Sequence, residues 1–453
     1  MTYLKDMSKF YYLIRLQPLS FAFLWRIVAA LLLAGITISC SGTTQEPSPT
    51  PITIRKFVPP ITPTVQQGTI LFTQHAQGYP VWSSNSTHMA FTNGGNTNGG
   101  DRIYIWDAST RKLTQKITLP LLASNALGES IWSPDGQHMV FASDDGRLQV
   151  WSTFSGRKLL TYNSHSAGMP SWTWAPDGKR IAMTANSGNG NVQIVQIWDV
   201  VVGKELLSFS TQMRDIYDLV WSPDGGRLAS LATDRTVQFW NATTGNPLQS
   251  FHDPALEGIV WSPDGRYILS SLTASVTKDT SLRVWDVATG RKLLTYSGHS
   301  SNVYEAQWSP DSTRIVSVGQ REVLVWNAST GHTILSLPTT SSGIAVLSPD
   351  GKYLAYSRGD NGIQVWNTVS GNEFLSYVGP VAHIQAIAWS LDSTRIAFAS
   401  DNSTVQIWNT ITKNTFYTYH VASNSVQYLI WSPDNKLLAT ASQDNTLQVL
   451  QAG

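Results

Sequence analysis

Along most of this chain the apolar residues come in short runs rich in Val, Ile, Leu and aromatics, with turn-forming residues between the runs. The stretch from His252 to Gly290, HDPALEGIVWSPDGRYILSSLTASVTKDTSLRVWDVATG, shows the pattern best. Gly258–Trp261, Tyr267–Leu272 and Leu282–Trp285 are short for helices and rich in residues that fit a pleated surface, so each predicts a strand. Ser262-Pro263-Asp264-Gly265 separates the first two, with a Pro that presets φ and a Gly that tolerates positive φ. Ala288-Thr289-Gly290 closes the third run, and Arg291–Tyr296 supplies a fourth. The stretch predicts a four-stranded antiparallel meander of about 40 residues.

The pattern recurs. A marker residue at the end of each first strand, followed by a Ser-Pro-Asp-Gly-like turn, stands at Trp82, Trp132, Trp174, Trp221, Trp261, Trp308, Leu347, Trp389 and Trp431. These nine copies lie 39 to 50 residues apart. A period of that length built from four short strands predicts an all-β fold, a single closed β-propeller of nine four-stranded blades, with seven or eight as the alternative. One blade cannot bury both of its faces, so its neighbours must cover them. The ninth copy stops after its third strand, Thr446–Leu450, while Thr69–Thr73 ahead of the first copy has no partner there. These two runs are expected to pair and close the ring, removing two exposed edges.

The third strand of most copies ends in a second Trp, followed by Asp at Trp106, Trp198 and Trp285 and by Asn at Trp240, Trp326, Trp366 and Trp408. With Gly298-His299 ahead of Trp308, this resembles the WD40 repeat family over roughly residues 69 to 450. In that family a His before the first strand, a Ser or Thr on the second, a turn Asp and the third-strand Trp form a hydrogen-bonded set. The resemblance assigns this structural set in the fifth copy to His252, Ser270 or Ser271, Asp279 and Trp285. His165 and His299, the latter with Trp326, keep the spacing in copies without the turn Asp, and Asp145, Asp234 and Asp444 keep the Asp.

The amino terminus follows a different pattern. Lys5, Lys9, Arg15 and Arg26 precede an apolar run from Ile27 to Ile38, and Cys40, the one cysteine of the chain, follows it. Basic residues, a short apolar segment and a small residue before the break are the parts of a secretory signal. The segment resembles a bacterial lipoprotein signal, which implies lipidation at Cys40 and an extracytoplasmic propeller attached to the cell membrane. The alternative is an uncleaved single-pass anchor over Leu19–Ile38, whose 20 residues match a bilayer's thickness. The chain then divides into a signal or anchor (1–39), a Pro/Thr/Ser-rich tether whose composition cannot order itself (40–67), and the propeller (68–453).

Charge and chemistry narrow the functional classes. Lys plus Arg number 31 against 30 acidic residues and no basic stripe stands out, so a nucleic-acid partner is not expected. No catalytic, phosphate-binding or metal motif is present, and neither catalytic residues nor a cofactor is expected. In WD40-like rings the residues entering the innermost strand line one mouth of the central channel. Counted four and three places before the marker, these are Pro170, Ser171, Tyr217, Asp218, Glu257, Tyr304, Glu305, Gln427 and Tyr428. They vary between copies, and amphipathic Tyr suits a docking surface. The expectation is a non-catalytic scaffold that binds a protein or peptide there. The alternative is a propeller enzyme or carbohydrate-binding protein using Asp218, Glu257 and Glu305.

Overall fold

A computed structural model describes residues 69–452, except 77–79, 94–101, 119–130, 143–146, 164–170, 187–192, 214, 254–255, 272–279, 339–343, 358–361, 379–382, 402 and 422–424. Every regular element among the described residues is a strand. The strands form nine four-stranded antiparallel sheets. Eight are consecutive meanders, beginning at Val81, Ile131, Trp172, Ile216, Gly258, Val303, Ile344 and Ile384. We number these blades 1 to 8. Blade 9 combines three strands from Val426–Trp431 to Thr446–Gln451 with Ile70–His75 from the start of the propeller.

That last pairing is the closure expected from the unpartnered runs. Ile70 lies opposite Leu450 and His75 opposite Thr446, with an irregularity between Ile70 and Phe72. Phe72 then reaches the rings of Phe91 and Trp106 in blade 1, at 5.8 and 5.4 Å.

The core is a set of nine apolar clusters, each shared by two consecutive blades. Trp221 of blade 4, for example, packs with Ala182 and Val195 of blade 3, and Trp82 of blade 1 packs with Ala439 and Val449 of blade 9. No blade boundary lacks such a cluster, so the ring is closed. Strand alternation explains it, since successive side chains point to opposite faces and each face meets a neighbour.

The marker Trp residues do more than fill volume. Six of them donate the indole N–H to a first-strand carbonyl of the preceding blade: Trp82 to Ile430, Trp221 to Thr173, Trp261 to Val220, Trp308 to Val260, Trp389 to Val346 and Trp431 to Ala388, at 2.9–3.4 Å. In five blades the residue six places after the marker stacks on the next blade's Trp. Arg180, Arg227 and Arg395 stack over Trp221, Trp261 and Trp431 at 4.8–5.4 Å, and Tyr267 and Tyr353 stack on Trp308 and Trp389.

The Ser-Pro-Asp-Gly turn is built from the inside. In eight blades the buried Ser hydroxyl donates to the Asp (Asn85 in blade 1), as Ser309 does to Asp311 at 2.5 Å. In five blades a Gly takes the positive φ the turn requires, Gly265 at 69° among them. Where Gly is missing, Ser86, Ser312, Ser393 and Asn435 adopt that conformation instead. Each then uses its side chain to accept a backbone N–H from the preceding blade's turn, from Asp434, Asp264, Asp350 and Leu391 respectively. The left-handed strain is offset by a bond between blades.

Candidate docking surface

The two ends of the propeller differ. The first turn of every blade and the end of its third strand lie together at one end, tied in all nine blades by a backbone hydrogen bond such as Val287 N to Arg266 O. We call this the turn end. The first strands begin at the other end, the entry end.

At the entry end four first strands carry a bulge. A buried residue opens each strand (Ile216, Val303, Ile384, Val426), the next residue is skipped in the ladder, and pairing resumes at Asp218, Glu305, Ala386 and Tyr428. The skipped residues are Tyr217, Tyr304, Gln385 and Gln427. A bulge re-aims a side chain away from the regular sheet. Three of these four were singled out by spacing. Gln385 was not, and only its offset from Trp389 points to it; its side-chain oxygen accepts a hydrogen bond from Ser425 at 2.6 Å.

The remaining sequence-predicted residues separate into groups. Tyr217 is half-buried against the blade 4–5 cluster and donates its hydroxyl to the Glu257 carbonyl at 3.2 Å, so it is a contact between blades rather than a free aromatic. Asp218 accepts the Leu219 N–H, and Ser171 donates its N–H to Thr184. Glu257 and Tyr428 are half-buried, Gln427 is exposed, and Pro170 lies outside the described residues. Tyr304 is half-buried beside Glu305.

Glu305 is the chemically unusual member. Burial pushes its carboxyl up to about 7, with no charged neighbour contributing. Part of its surface nevertheless stays accessible. The two facts fit a carboxyl crowded by protein atoms in a residue that still keeps some contact with water.

The hydrogen-bonded structural set forms in blade 6 rather than in the fifth copy's expected arrangement. His299 Nε2 contacts the Ser317 hydroxyl at 2.7 Å, and Trp326 Nε1 donates to the same hydroxyl at 3.1 Å. The acid is Glu322, 3.2 Å from His299 Nδ1 and bonded to Ser300 as well. Sequence reading sought an Asp in the turn, whereas the longer Glu reaches from the strand. In blade 5 Trp285 donates to Ser270 at 3.0 Å. His252 does not join that set; it ends the fourth strand of blade 4 and is exposed. Asp253 beside it is buried and pairs with Arg283 at 3.1 Å. Asp279, His165, Asp145 and Cys40 lie outside the described residues. Asp234 and Asp444 cap turns by accepting the N–H of Thr236 and Thr446.

Comparison with known proteins adds the repeat type. The WD domain, G-beta repeat family matches residues 125–152, 290–327, 374–409 and 413–449. The chain carries WD40 repeats. A second family, Eukaryotic translation initiation factor eIF2A, matches residues 164–297 of this WD40 propeller. Among curated relatives, Protein FIZZY-RELATED 2 of Arabidopsis thaliana is 25% identical over 275 residues, 59% of this chain and 55% of that protein. Meiotic fizzy-related protein 1 of Schizosaccharomyces pombe is 26% identical over 271 residues, 58% of this chain and 62% of that protein. The chain thus spans little more than half the length of the curated relatives it matches. Among solved structures, the C-terminal WD40 domain of Sif2 aligns over 86% of this chain and 99% of its own, with a TM-score of 0.50 and 18% identity, a likeness of fold alone.

Proposed function

We propose that this WD40 propeller is a non-catalytic extracytoplasmic scaffold whose entry end binds a protein or peptide partner. The carrying observation is the set of bulged first strands, which turn Tyr304 and Gln427 out of the ladder beside Glu305 and Tyr428. Among the described residues, neither Tyr304 nor Gln427 forms a hydrogen bond, ion pair or ring contact with another blade, whereas the turn end carries inter-blade bonds from Ser86, Ser312, Ser393, Asn435, Arg180, Arg227 and Arg395. An amphipathic aromatic next to an enclosed carboxyl is the kind of anchor that carries binding energy. The relatives' printed names, a meiotic protein and fizzy-related proteins, are not those of enzymes. Attachment to the membrane through a lipid on Cys40, or through an uncleaved span over residues 19–38, belongs to the same proposal and rests on the sequence pattern.

A second reading has one observation in its favour. A carboxyl raised to about 7 is what a general acid needs, and Glu305 has one. Glycoside hydrolysis would need a second carboxyl at a fixed gap. The test is capture from solubilised membranes by the tethered full chain, comparing wild type with Tyr304→Ala and with Ile411→Ser at the turn end. The scaffold reading expects one protein retained by wild type and Ile411→Ser and lost with Tyr304→Ala. Equal capture by all three refutes it.

A further inference from the structure

The turn end carries apolar side chains that packing does not explain. Phe154 is 87% exposed, Val201 60%, Val202 70%, Val369 60% and Ile411 70%. All sit at tips of third-to-fourth-strand turns, in blades 2, 3, 7 and 8. The turn does not require them. Ser109, Thr243 and Ser329 hold the same place in blades 1, 4 and 6, and the turn is held there by Asp107, Asn241 and Asn327 accepting backbone N–H groups.

We propose that the turn end rests on a lipid bilayer, with Phe154, Val202, Val369 and Ile411 entering its interface. This rests on the reading that the amino-terminal segment holds the chain at a membrane, and it adds which end faces that membrane. Three observations commit it to a bilayer. First, the path of the chain: the propeller is entered at the turn end, where Gln451 N donates to Thr69 O at 3.1 Å and Ala452 N to Lys436 O in the first turn of blade 9. The tether therefore joins the propeller on the side that bears the apolar tips.

Second, the placement of the tips. Blades 2–3 and blades 7–8 lie on opposite arcs of the nine-blade ring. A protein groove would engage one arc; a flat, fluid surface wider than the ring meets both. Third, charge. Exposed Arg157, Lys158, Lys204 and Lys413 flank the tips of blades 2, 3 and 8, with Glu373 beside the blade 7 tip, and first-turn carboxylates at the same end, such as Asp224 and Asp311, accept hydrogen bonds from their turn Ser. Cations beside three of the four apolar tips suit anionic headgroups.

The test places an environment-sensitive fluorophore on the full chain in vesicles of phosphatidylcholine and phosphatidylglycerol. Phe154→Cys and Ile411→Cys carry it at the turn end, and Asn302→Cys carries it at the entry end. The chain without an added cysteine gives the background from Cys40. The proposal expects a blue shift, and quenching by spin-labelled lipid, at 154 and 411 and neither at 302. A chain that floats with the vesicles while 154 and 411 remain aqueous overturns the docking and leaves the anchor standing. Shielding at 154 and 411 from aqueous iodide in native membranes, without lipid quenching, assigns the surface to a protein and also overturns it. A chain that does not float removes the anchor and the proposal together.

Discussion

Glu305→Gln isolates a single titration, because Gln mimics the neutral acid in size and hydrogen-bonding shape. The folded carboxyl sits at about 7 against an ordinary 4.5. A raised folded pKa means that the folded state holds the proton more tightly than the unfolded one. The stability that this proton confers is complete below about 4.5 and is lost as pH rises through about 7. At about 1.4 kcal/mol per unit the ceiling is about 3 kcal/mol, and water reaching the carboxyl brings the working figure to about 2 kcal/mol. Unfolding entropy for a propeller of this length is about 0.8 kcal/mol per degree, so the shift is about 2–3 °C. The assay is thermal melting of wild type and Glu305→Gln at pH 5 and pH 8. Every other titrating group is common to both proteins and cancels in the difference. The variant should match wild type at pH 5 and melt about 2–3 °C higher at pH 8. An offset that is the same at both values, or that shrinks as pH rises, refutes the burial-raised carboxyl of Glu305.

Three further outcomes are expected. Trp308→Phe keeps the ring but orphans the Val260 carbonyl, costing about 1–3 kcal/mol in urea unfolding, while Trp308→Ala should cost about 3–5 kcal/mol; no loss for either contradicts the bridge and the core assignment. Burial holds His299 neutral and lowers its pKa despite Glu322, so stability present above about 6.5 is lost as pH falls through the lowered value; His299→Gln should flatten the denaturation midpoint between about pH 6.5 and 5, and an unchanged slope counts against this. Deleting residues 68–75 bares the edge of Thr446–Gln451, and the shortened chain should melt lower and form concentration-dependent oligomers in light scattering; a stable monomer would show that the closure contributes little.

How much the sequence discloses depends on whether a residue repeats. The marker Trp, the buried turn Ser and the third-strand Trp recur at fixed offsets because each blade boundary poses the same packing problem, so blade count, strand phase and closure follow from spacing. The Arg at six places after Trp174, Trp221, Trp308 and Trp389 is just as regular, but its role is visible only when blades stand side by side. Glu322 escaped because its partner His299 lies two strands earlier rather than at a sequence offset that signals contact. His252 misled for the converse reason, sitting near the expected offset while its strand carries it outward. Bulges leave no mark at all in a single sequence, and they decide which entry-end residues leave the ladder.

The contrast between the ends also indicates where variation is tolerated. At the turn end, Ser312, Ser393, Asn435 and Ser86 each reach back to the preceding blade, and Arg180, Arg227 and Arg395 reach forward to the next. A substitution there breaks a bond in two blades at once. At the entry end, Tyr304 and Gln427 form no hydrogen bond or ion pair among the described residues, so replacing them should cost less stability, and selection for a partner can act on them. The exposed Phe154, Val202, Val369 and Ile411 contradict that division. They are variable, apolar and unpacked at the end where uniform packing rules, and the ring's own mechanics give no reason for them. A surface outside the ring does.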